Sequence, residues 1–268
     1  MSFTIIGELL NTTRQPIRNA VAQRDIKTIQ QLVIRQQDSG ADYIDVNTGA
    51  GMQTERQDMK WLINTVQAVS TVPLCIDSPD PEVIASAWEM LKLPPMINSI
   101  SLENRRFEPM LDILKGRKAC QVIALCMDDS GMPESIVEIC RRAGRLADAL
   151  TSSGVNPDAI WIDPLVSPVS TQTGNGLTAM DAVGALKKSF PGVKTVCGLS
   201  NISFGLPARR IINRMFLALM MSRGLDGAIF DPLDRDLMAV LETTRMLLGN
   251  DDFCLDYMES FNAGRIPV

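Results

Sequence analysis

Short apolar runs alternate with longer amphipathic segments from one end of the chain to the other. Eight of these runs predict β-strands, and they lie at residues 3–8, 43–47, 73–77, 95–99, 120–127, 159–163, 194–200 and 227–231. Eight helix-like segments follow them in turn, at 17–39, 55–70, 80–92, 103–117, 134–153, 177–189, 208–223 and 234–248. Proline and glycine mark many of the joins, as is typical of turns between elements.

Strands that alternate with helices indicate a parallel sheet, because two parallel strands need a crossover connection between them. The chain has 268 residues, so eight strand–helix units take about 33 residues each. This size and this order match the closed (β/α)8 barrel. We therefore predict an α/β fold, a TIM barrel, as a single domain over residues 1–268.

Polar side chains stand where the apolar runs end. They are Glu8, Asp45, Asn47, Asp77, Asn98, Asp128, Asp163, Asn201 and Asp231. Any one of them could cap the helix that follows, and Asp231 before Pro232 fits that role best. Their recurrence after nearly every strand is harder to explain by capping, because the carboxyl ends of barrel strands converge on one rim that carries the active site. The sequence predicts a rim of carboxylates and carboxamides with no evident cluster of cations.

Composition excludes several classes of function. Lys and Arg total 26 against 31 Asp and Glu, a formal charge of −5 with no basic run, so the chain is a poor candidate for binding nucleic acid. No apolar run approaches 18 residues, and the first residues do not resemble a signal peptide. The six cysteines form no Cys-x-x-Cys pair and are typical of reduced core residues. We expect a cytoplasmic protein that does not enter the membrane.

The chain contains no histidine. This excludes His-ligated metal sites, Ser-His-Asp triads and Cys-His dyads built from this chain alone. Any proton transfer must use a carboxylate, Lys, Tyr, Cys or water. A Mg²⁺ site would call for a phosphorylated substrate, yet Gly174-Asn175-Gly176 lacks the spacing of a dinucleotide-binding loop. We predict no metal bound by the protein.

A neutral heterocycle with a donor-rich edge suits such a rim better. The 2-amino-4-oxo-pyrimidine edge of a pterin offers two parallel N–H donors, and one buried carboxylate can accept both. An asparagine can serve a ring nitrogen and a neighbouring N–H at once, because its amide is both acceptor and donor.

Several short motifs resemble those of the pterin-binding barrel family. They are Ile-Gly-Glu at 6–8, Asp-Val-Asn at 45–47, Leu-Cys-Ile-Asp-Ser at 74–78, Met-Ile-Asn-Ser at 96–99, Ile-Asp-Pro at 162–164, Gly-Leu-Ser-Asn at 198–201 and Ile-Asn-Arg at 212–214. The last two together are the most specific. Within the family, the chain resembles the methyltetrahydrofolate:corrinoid methyltransferases more than the dihydropteroate synthases. Such proteins move a methyl group between N5 of a tetrahydrofolate and the cobalt of a corrinoid.

The resemblance implies roles for the polar residues of the rim. Asp77, Asn98 and Asp163 match residues that hold the pyrimidine edge of the pterin. Further candidates for the rim or for the layer behind it are Glu8, Asp45, Asn47 and Met127.

A second group of residues matches the surroundings of N5. Asn201 matches an asparagine that reaches the pterin near N5, so it is the candidate catalytic residue. Gly198 and Ser200 belong to the same motif, and Arg209 matches an arginine close by. In related sequences a glutamine often stands at the position of Phe204, so hydrogen bonding near the methyl group, and the partner that docks there, are expected to differ.

The resemblance also implies a partner. The chain is too short for an additional corrinoid domain and, having no histidine, lacks the Asp-x-His-x-x-Gly motif of such domains. The corrinoid must therefore arrive on a separate protein. The late helices carry more bulky apolar residues than one buried stripe needs, which favours a homodimer: Met215, Phe216, Leu219, Met220 and Met221.

Two other functions remain open. A dihydropteroate synthase would need a pyrophosphate site, which Arg209-Arg210 imitates weakly, and the Gly-Leu-Ser-Asn motif at 198–201 argues against it. The other alternative is a pterin-binding barrel without catalysis. For the methyltransferase the reaction is reversible, and the direction that forms 5-methyltetrahydrofolate is slightly favoured.

Overall fold

Eight parallel strands close into a barrel in a computed structural model that describes residues 3–51, 54–117 and 119–267. Each strand pairs with the next in sequence, and β8 pairs with β1. The strands are β1 Thr4–Asn11, β2 Tyr43–Asn47, β3 Leu74–Asp77, β4 Met96–Ser101, β5 Gln121–Leu125, β6 Ile160–Asp163, β7 Lys194–Gly198 and β8 Gly227–Phe230. The predicted TIM barrel is confirmed.

Helices surround the barrel. They are α1 Gln15–Ala22, α2 Ile26–Asp38, α3 Glu55–Gln67, α4 Pro81–Trp88, α5 Phe107–Leu114, α6 Ile136–Ser152, α7 Asn175–Ser189, α8 Arg209–Ser222, α9 Arg235–Leu247 and α10 Leu255–Asn262. Among these described residues, no helix has the length and apolar character needed to cross a membrane.

One helix prediction was wrong, and one helix was not predicted. The segment predicted as one helix over 17–39 forms two, because Arg24 takes a left-handed backbone conformation with φ of 53° and Asp25 starts α2 by accepting the Thr28 N–H at 3.1 Å. Helix α10 was not predicted. It begins after Cys254, whose backbone is also left-handed and whose side chain makes no capping hydrogen bond. The capping residue that usually indicates a helix start in a sequence is therefore missing.

The alternation of side chains along the strands positions the rim. A small apolar cluster fills the barrel interior, formed by Ile6, Cys75, Met96, Ile123, Trp161 and Val196. A larger apolar layer lies between the strands and the helices. Because side chains of a strand alternate between its faces, the residues two positions beyond the inner cluster also face the interior, one layer higher. These residues include Glu8, Asp77, Asn98 and Asp163.

Candidate functional site

Three polar residues lie side by side on β2, β3 and β4: Asn47 and Asp77 end their strands, whereas Asn98 lies within β4. Asn47 is the register partner of Asp77, and Asp77 is the register partner of Asn98. Neighbouring strands stand about 4.8 Å apart, so these side chains are adjacent at the barrel mouth. Asp163 ends β6 further around the same mouth. The structure thus brings together the residues that the sequence predicts for the pterin edge.

Asp77 is held by its neighbours. Its Oδ2 accepts a hydrogen bond from Asn47 Nδ2 at 2.6 Å, and Asn47 Oδ1 accepts the Gly49 N–H at 3.0 Å, which fixes the orientation of that amide. Burial raises the pKa of Asp77 to about 6, opposed by the Asn47 hydrogen bond and by the positive charge of Arg106. Asp77 is therefore harder to ionise than an ordinary aspartate.

Asp163 is buried, with 7% of its surface exposed. Among the described residues it accepts one hydrogen bond, from the Leu165 N–H to Oδ1 at 2.7 Å. Burial raises the pKa of this carboxyl to about 7. A buried carboxyl group with acceptor capacity to spare fits a ligand that presents N–H donors.

Asp45 lies one layer below this row, as the register partner of Cys75. It is 2% exposed, and its Oδ1 has no hydrogen-bond partner in the described part of the chain. Burial raises the pKa of Asp45 well above its usual range, and the nearby charge of Asp77 adds to this effect, whereas hydrogen bonds with Cys75 and Asn98 oppose it. Asp45 thus lies behind the row rather than on its surface.

The chain after β7 forms a tight turn that presents Asn201. Residues Leu199–Ser203 wind into a 3₁₀-helix, which is why β7 ends at Gly198, before the predicted 200. Arg209 holds this turn by donating from Nη2 to the Ser200 carbonyl at 2.7 Å and from Nε to Ser203 Oγ at 3.0 Å.

The Asn201 side chain is exposed and lies over Gly198, where an added Cβ would stand 3.0 Å from Asn201 Nδ2. Asn201 sits inside the 3₁₀-helix, and its amide makes no hydrogen bond with any described residue. It is therefore not a helix cap, and its amide is available to a ligand.

Phe204 lies on the same turn, with 65% of its surface exposed. Its N–H donates to the Asn201 carbonyl at 3.1 Å, and its own carbonyl accepts from Ser170 Oγ at 2.7 Å. Gly205 follows with φ of 79°, a conformation that favours glycine. The turn therefore holds the Phe204 ring out into solvent next to Asn201.

Glu8 faces a different part of the mouth. Its Oε1 pairs with Arg14 Nη2 at 2.6 Å. Burial raises the pKa of Glu8, the charge of Asp231 adds to this, and Arg14 and Arg209 oppose it. A groove of about 270 Å³ opens here, and it is lined by Glu8, Arg14, Ser200, Arg209, Arg210, Asn213, Phe230, Asp231, Asp234 and Leu237. The expectation of a rim without clustered cations was wrong, because the barrel brings Arg14, which precedes α1, close to Arg209 and Arg210 at the start of α8.

Other polar residues at strand ends serve the loops. Asp128 pairs with the buried Arg142 at 2.9 Å. Asp231 accepts the Leu233 N–H at 2.9 Å, and Asp234, rather than Asp231, caps α9. The remaining candidate of the sequence analysis, Met127, is half-buried.

Sequence reasoning assigned no role to three residues that lie behind the row. Glu55 is buried and accepts a hydrogen bond from Ser78 Oγ at 2.6 Å, and the Ser78 N–H donates to the Asn98 carbonyl at 3.0 Å. Arg106 donates to the Ser99 carbonyl at 3.0 Å. Glu55 looks like an ordinary acidic residue in the first turn of α3, whereas Ser78 directly after Asp77 was a usable signal.

No group of three or more carboxylate or thiol side chains in the described ranges is arranged to hold a metal ion.

Comparison with known proteins assigns the chain to a family. Residues 7–231 match the family model described as "Pterin binding enzyme". The chain belongs to this family. It is 34% identical over 266 residues to the methylcorrinoid:tetrahydrofolate methyltransferase of Eubacterium limosum, covering 98% of both chains. It is also 32% identical over 241 residues to methionine synthase of Mycobacterium leprae, of which it spans 20%.

Solved structures of the same architecture support the fold. Dihydropteroate synthase from Xanthomonas albilineans in complex with 7,8-dihydropteroate superimposes with a TM-score of 0.68 at 19% identity, covering 94% of each chain. The same enzyme with 4-aminobenzoic acid superimposes with a TM-score of 0.70 at 18% identity, covering 94% of this chain and 93% of that one.

Proposed function

We propose that this protein is a methyltransferase that moves a methyl group between N5 of tetrahydrofolate and the cobalt of a corrinoid carried by a separate protein. We favour the direction that forms 5-methyltetrahydrofolate. One observation carries the proposal: buried carboxyl groups with free acceptor atoms stand at the barrel mouth beside an exposed, unpaired asparagine amide. The Eubacterium limosum relative, which matches along 98% of the chain, supports the reaction type.

In this proposal Asp77, Asn98 and Asp163 hold the pyrimidine edge of the pterin. The carboxylates accept its N–H groups, as they would those of a guanidinium fork. Asn98 serves a ring nitrogen and a neighbouring N–H through its amide. Asn47 supports this edge indirectly, because it holds Asp77 in place. Asp45 lies behind it.

Asn201 is proposed to act at N5. A tertiary amine is a poor leaving group unless its nitrogen is protonated or strongly hydrogen-bonded as the methyl leaves. In the other direction, neutral N5 attacks the methyl group directly and then loses a proton. In either direction the protein aligns donor and acceptor, an effect worth up to roughly 7–11 kcal/mol in ideal geometry. Gly198 leaves room for the Asn201 amide, and Arg209 holds the turn through Ser200.

The raised pKa values predict how folate binding depends on pH. A carboxyl group must be ionised to accept both pterin donors, and burial raises the pKa of Asp77 to about 6 and that of Asp163 to about 7. As the pH falls from 8 to 6, protonation of the free enzyme competes with binding, so the Kd for tetrahydrofolate should rise by roughly tenfold. Calorimetry across this pH range measures how Kd depends on pH. In the Asp163→Asn variant most of this dependence should disappear. A constant Kd for the unmodified protein would contradict the assignment.

We also propose a homodimer. Of the residues that suggested one, Phe216, Met220 and Met221 are buried in the core, whereas Met215 and Leu219 are exposed. With Ile211, they form an exposed apolar stripe at spacings of four on α8. Larger exposed apolar patches are typical of protein interfaces.

Light scattering at micromolar concentration should give about twice the chain mass of 29.4 kDa. Met215→Glu should shift the protein toward the monomer, whereas Val137→Glu, at an even more exposed apolar position on α6, should not. A monomer mass for the unmodified protein would refute the dimer.

We also propose that the protein is cytoplasmic. All six cysteines are free. Unpaired thiols are the usual state in a reducing compartment.

A further inference from the structure

Arg106 stands behind two of the residues that the proposed function assigns to the pterin edge. It lies in the loop after β4, directly before α5, with 14% of its side chain exposed. Its Nη2 donates to the Ser99 carbonyl at 3.0 Å and to Ser99 Oγ at 3.3 Å, and it contacts the Ser78 carbonyl at 3.4 Å. Ser78 directly follows Asp77. Ser99 directly follows Asn98, so one amino group links the chain behind both residues.

This link lies where the pairing of β3 with β4 stops. Asp77 and Asn98 are the last register pair of these two strands. Beyond them the Ser78 N–H donates to the Asn98 carbonyl at 3.0 Å. A planar guanidinium with several fixed N–H donors is suited to bridging neighbouring carbonyls, whereas the ammonium group of lysine is not. Arg106 therefore holds the two strand ends in position relative to each other.

Arg106 also brings the positive charge among the ionisable groups around Asp77. Burial raises the pKa of Asp77, and the negative charge of Glu55 on α3 adds to this effect. The Arg106 charge and the Asn47 hydrogen bond oppose it. Asp45, on β2, is a second acidic neighbour, but burial raises its pKa well above the usual range and so disfavours its charged form.

The remaining ionisable groups close to β3 leave this balance as it is. Cys75 lies two positions before Asp77, and burial raises the pKa of its thiol well above the usual value, so it stays neutral. Asp80 and Glu82, at the start of α4, are exposed.

Glu103 reduces the charge of Arg106 without cancelling it. Its Oε2 lies 3.5 Å from Arg106 Nη1, which is a loose ion pair, and the same oxygen accepts from Ser101 Oγ at 2.7 Å.

We propose that Arg106 is a positioning residue for the pterin edge, which ties together the strand ends behind Asp77 and Asn98 and stabilises the carboxylate form of Asp77 that accepts the pterin N–H groups. It acts through Asp77 rather than on the folate, because its two amino groups are engaged by Ser99 and Glu103. This proposal rests on the proposed function.

Loss of the Arg106 charge should make folate binding more sensitive to acid. Without that charge the pKa of Asp77 should rise further, by about one pH unit. The ratio of Kd for tetrahydrofolate, variant over unmodified protein, should then be about fivefold larger at pH 6 than at pH 9. Protonation of Asp163 and of the folate affects both proteins alike and cancels in this ratio. Lost hydrogen bonds alone would raise Kd by the same factor at every pH.

Two variants separate charge from geometry. Arg106→Gln is uncharged but keeps an N–H donor, so its Kd ratio should change with pH in full. Arg106→Lys keeps the charge but not the planar fork, so its ratio should stay nearly constant with pH. Arg105→Gln, at the exposed neighbouring arginine, is the matched control and should give a ratio of one throughout. Calorimetry on the full chain gives Kd, and thermal melts show that each variant is folded.

A titration without folate tests the charge effect by itself. NMR of isotope-labelled aspartate side chains, with the Asp77 signal assigned from Asp77→Asn, gives the midpoint at which Asp77 ionises. Arg106→Gln should raise this midpoint by about one pH unit. Glu103→Gln should lower it, because it removes the counter-charge of Arg106, and this variant tests the same effect if Arg106→Gln does not fold.

A Kd ratio that grows toward low pH in Arg106→Gln but not in Arg106→Lys, with the midpoint of Asp77 moved as stated, supports the proposal. The same ratio at every pH, equal pH profiles for the two variants, or an unmoved midpoint would overturn it, while the methyltransferase stands. If the unmodified protein binds no tetrahydrofolate, the proposed function fails, and the positioning role with it.

Discussion

Asn201→Ala is expected to lower the rate of methyl transfer at saturating tetrahydrofolate by roughly tenfold to a thousandfold, the range for loss of one preorganised hydrogen-bonding group. The amide is exposed at the mouth and makes no hydrogen bond with a described residue, so its removal disturbs little of the fold. Its interaction should strengthen as N5 changes charge, and an interaction that is stronger in the transition state than in the ground state acts on kcat. Single-turnover transfer measured beside a thermal melt separates these effects.

Asn262→Ala, at an exposed asparagine at the end of α10, is the control and should transfer at the unmodified rate. The outcome that would remove Asn201 from the mechanism is a normal transfer rate with a lowered melting temperature. In that case the residue would serve the turn after β7 only.

Asp163→Ala and Asp77→Ala are each expected to weaken tetrahydrofolate binding by more than about 1 kcal/mol, because each leaves N–H donors of the ring unpaired in a desolvated pocket. The effect should be seen mainly in Kd, since these residues contact the edge of the ring remote from N5. Calorimetry at pH 8, where both carboxyl groups are ionised in the unmodified protein, gives the cleanest comparison.

Asp148→Ala, at an exposed position on α6, should leave Kd unchanged. Unchanged affinity for both Asp77→Ala and Asp163→Ala would contradict the assignment of the pterin edge. If only Asp163→Ala weakens binding, the pyrimidine edge of the pterin lies closer to β6 than proposed.

The row at the mouth could be predicted because it depends on local pattern. A strand places every second side chain inward, and the closing of parallel strands brings their carboxyl ends together. Asp77 and Asp163, which end β3 and β6, follow from both facts, and Asn98, which lies within β4, follows from the first. What no local pattern indicates is which strand ends serve loops instead, and Asp128 is an example, because its partner Arg142 is buried on α6.

The rest of the site depends on contacts between distant segments. Arg106 reaches Ser99 and influences Asp77 from the loop after β4, and Glu55 reaches Ser78 from the start of α3. Of the arginines of the groove, Arg14 directly precedes α1, and Arg209 and Arg210 begin α8. Such side chains look like ordinary charges on exposed helices until the barrel closes.

The most direct test of the account is methyl transfer between methylcobalamin and tetrahydrofolate with the purified chain. The methyl group should leave cobalt and bond to N5, which loses a proton, so that cob(I)alamin and 5-methyltetrahydrofolate appear in equal amounts. Asn201→Ala should slow their appearance. Tight tetrahydrofolate binding with no transfer, or condensation of a dihydropterin pyrophosphate with 4-aminobenzoate, would contradict the methyltransferase and favour a non-catalytic barrel or a dihydropteroate synthase respectively.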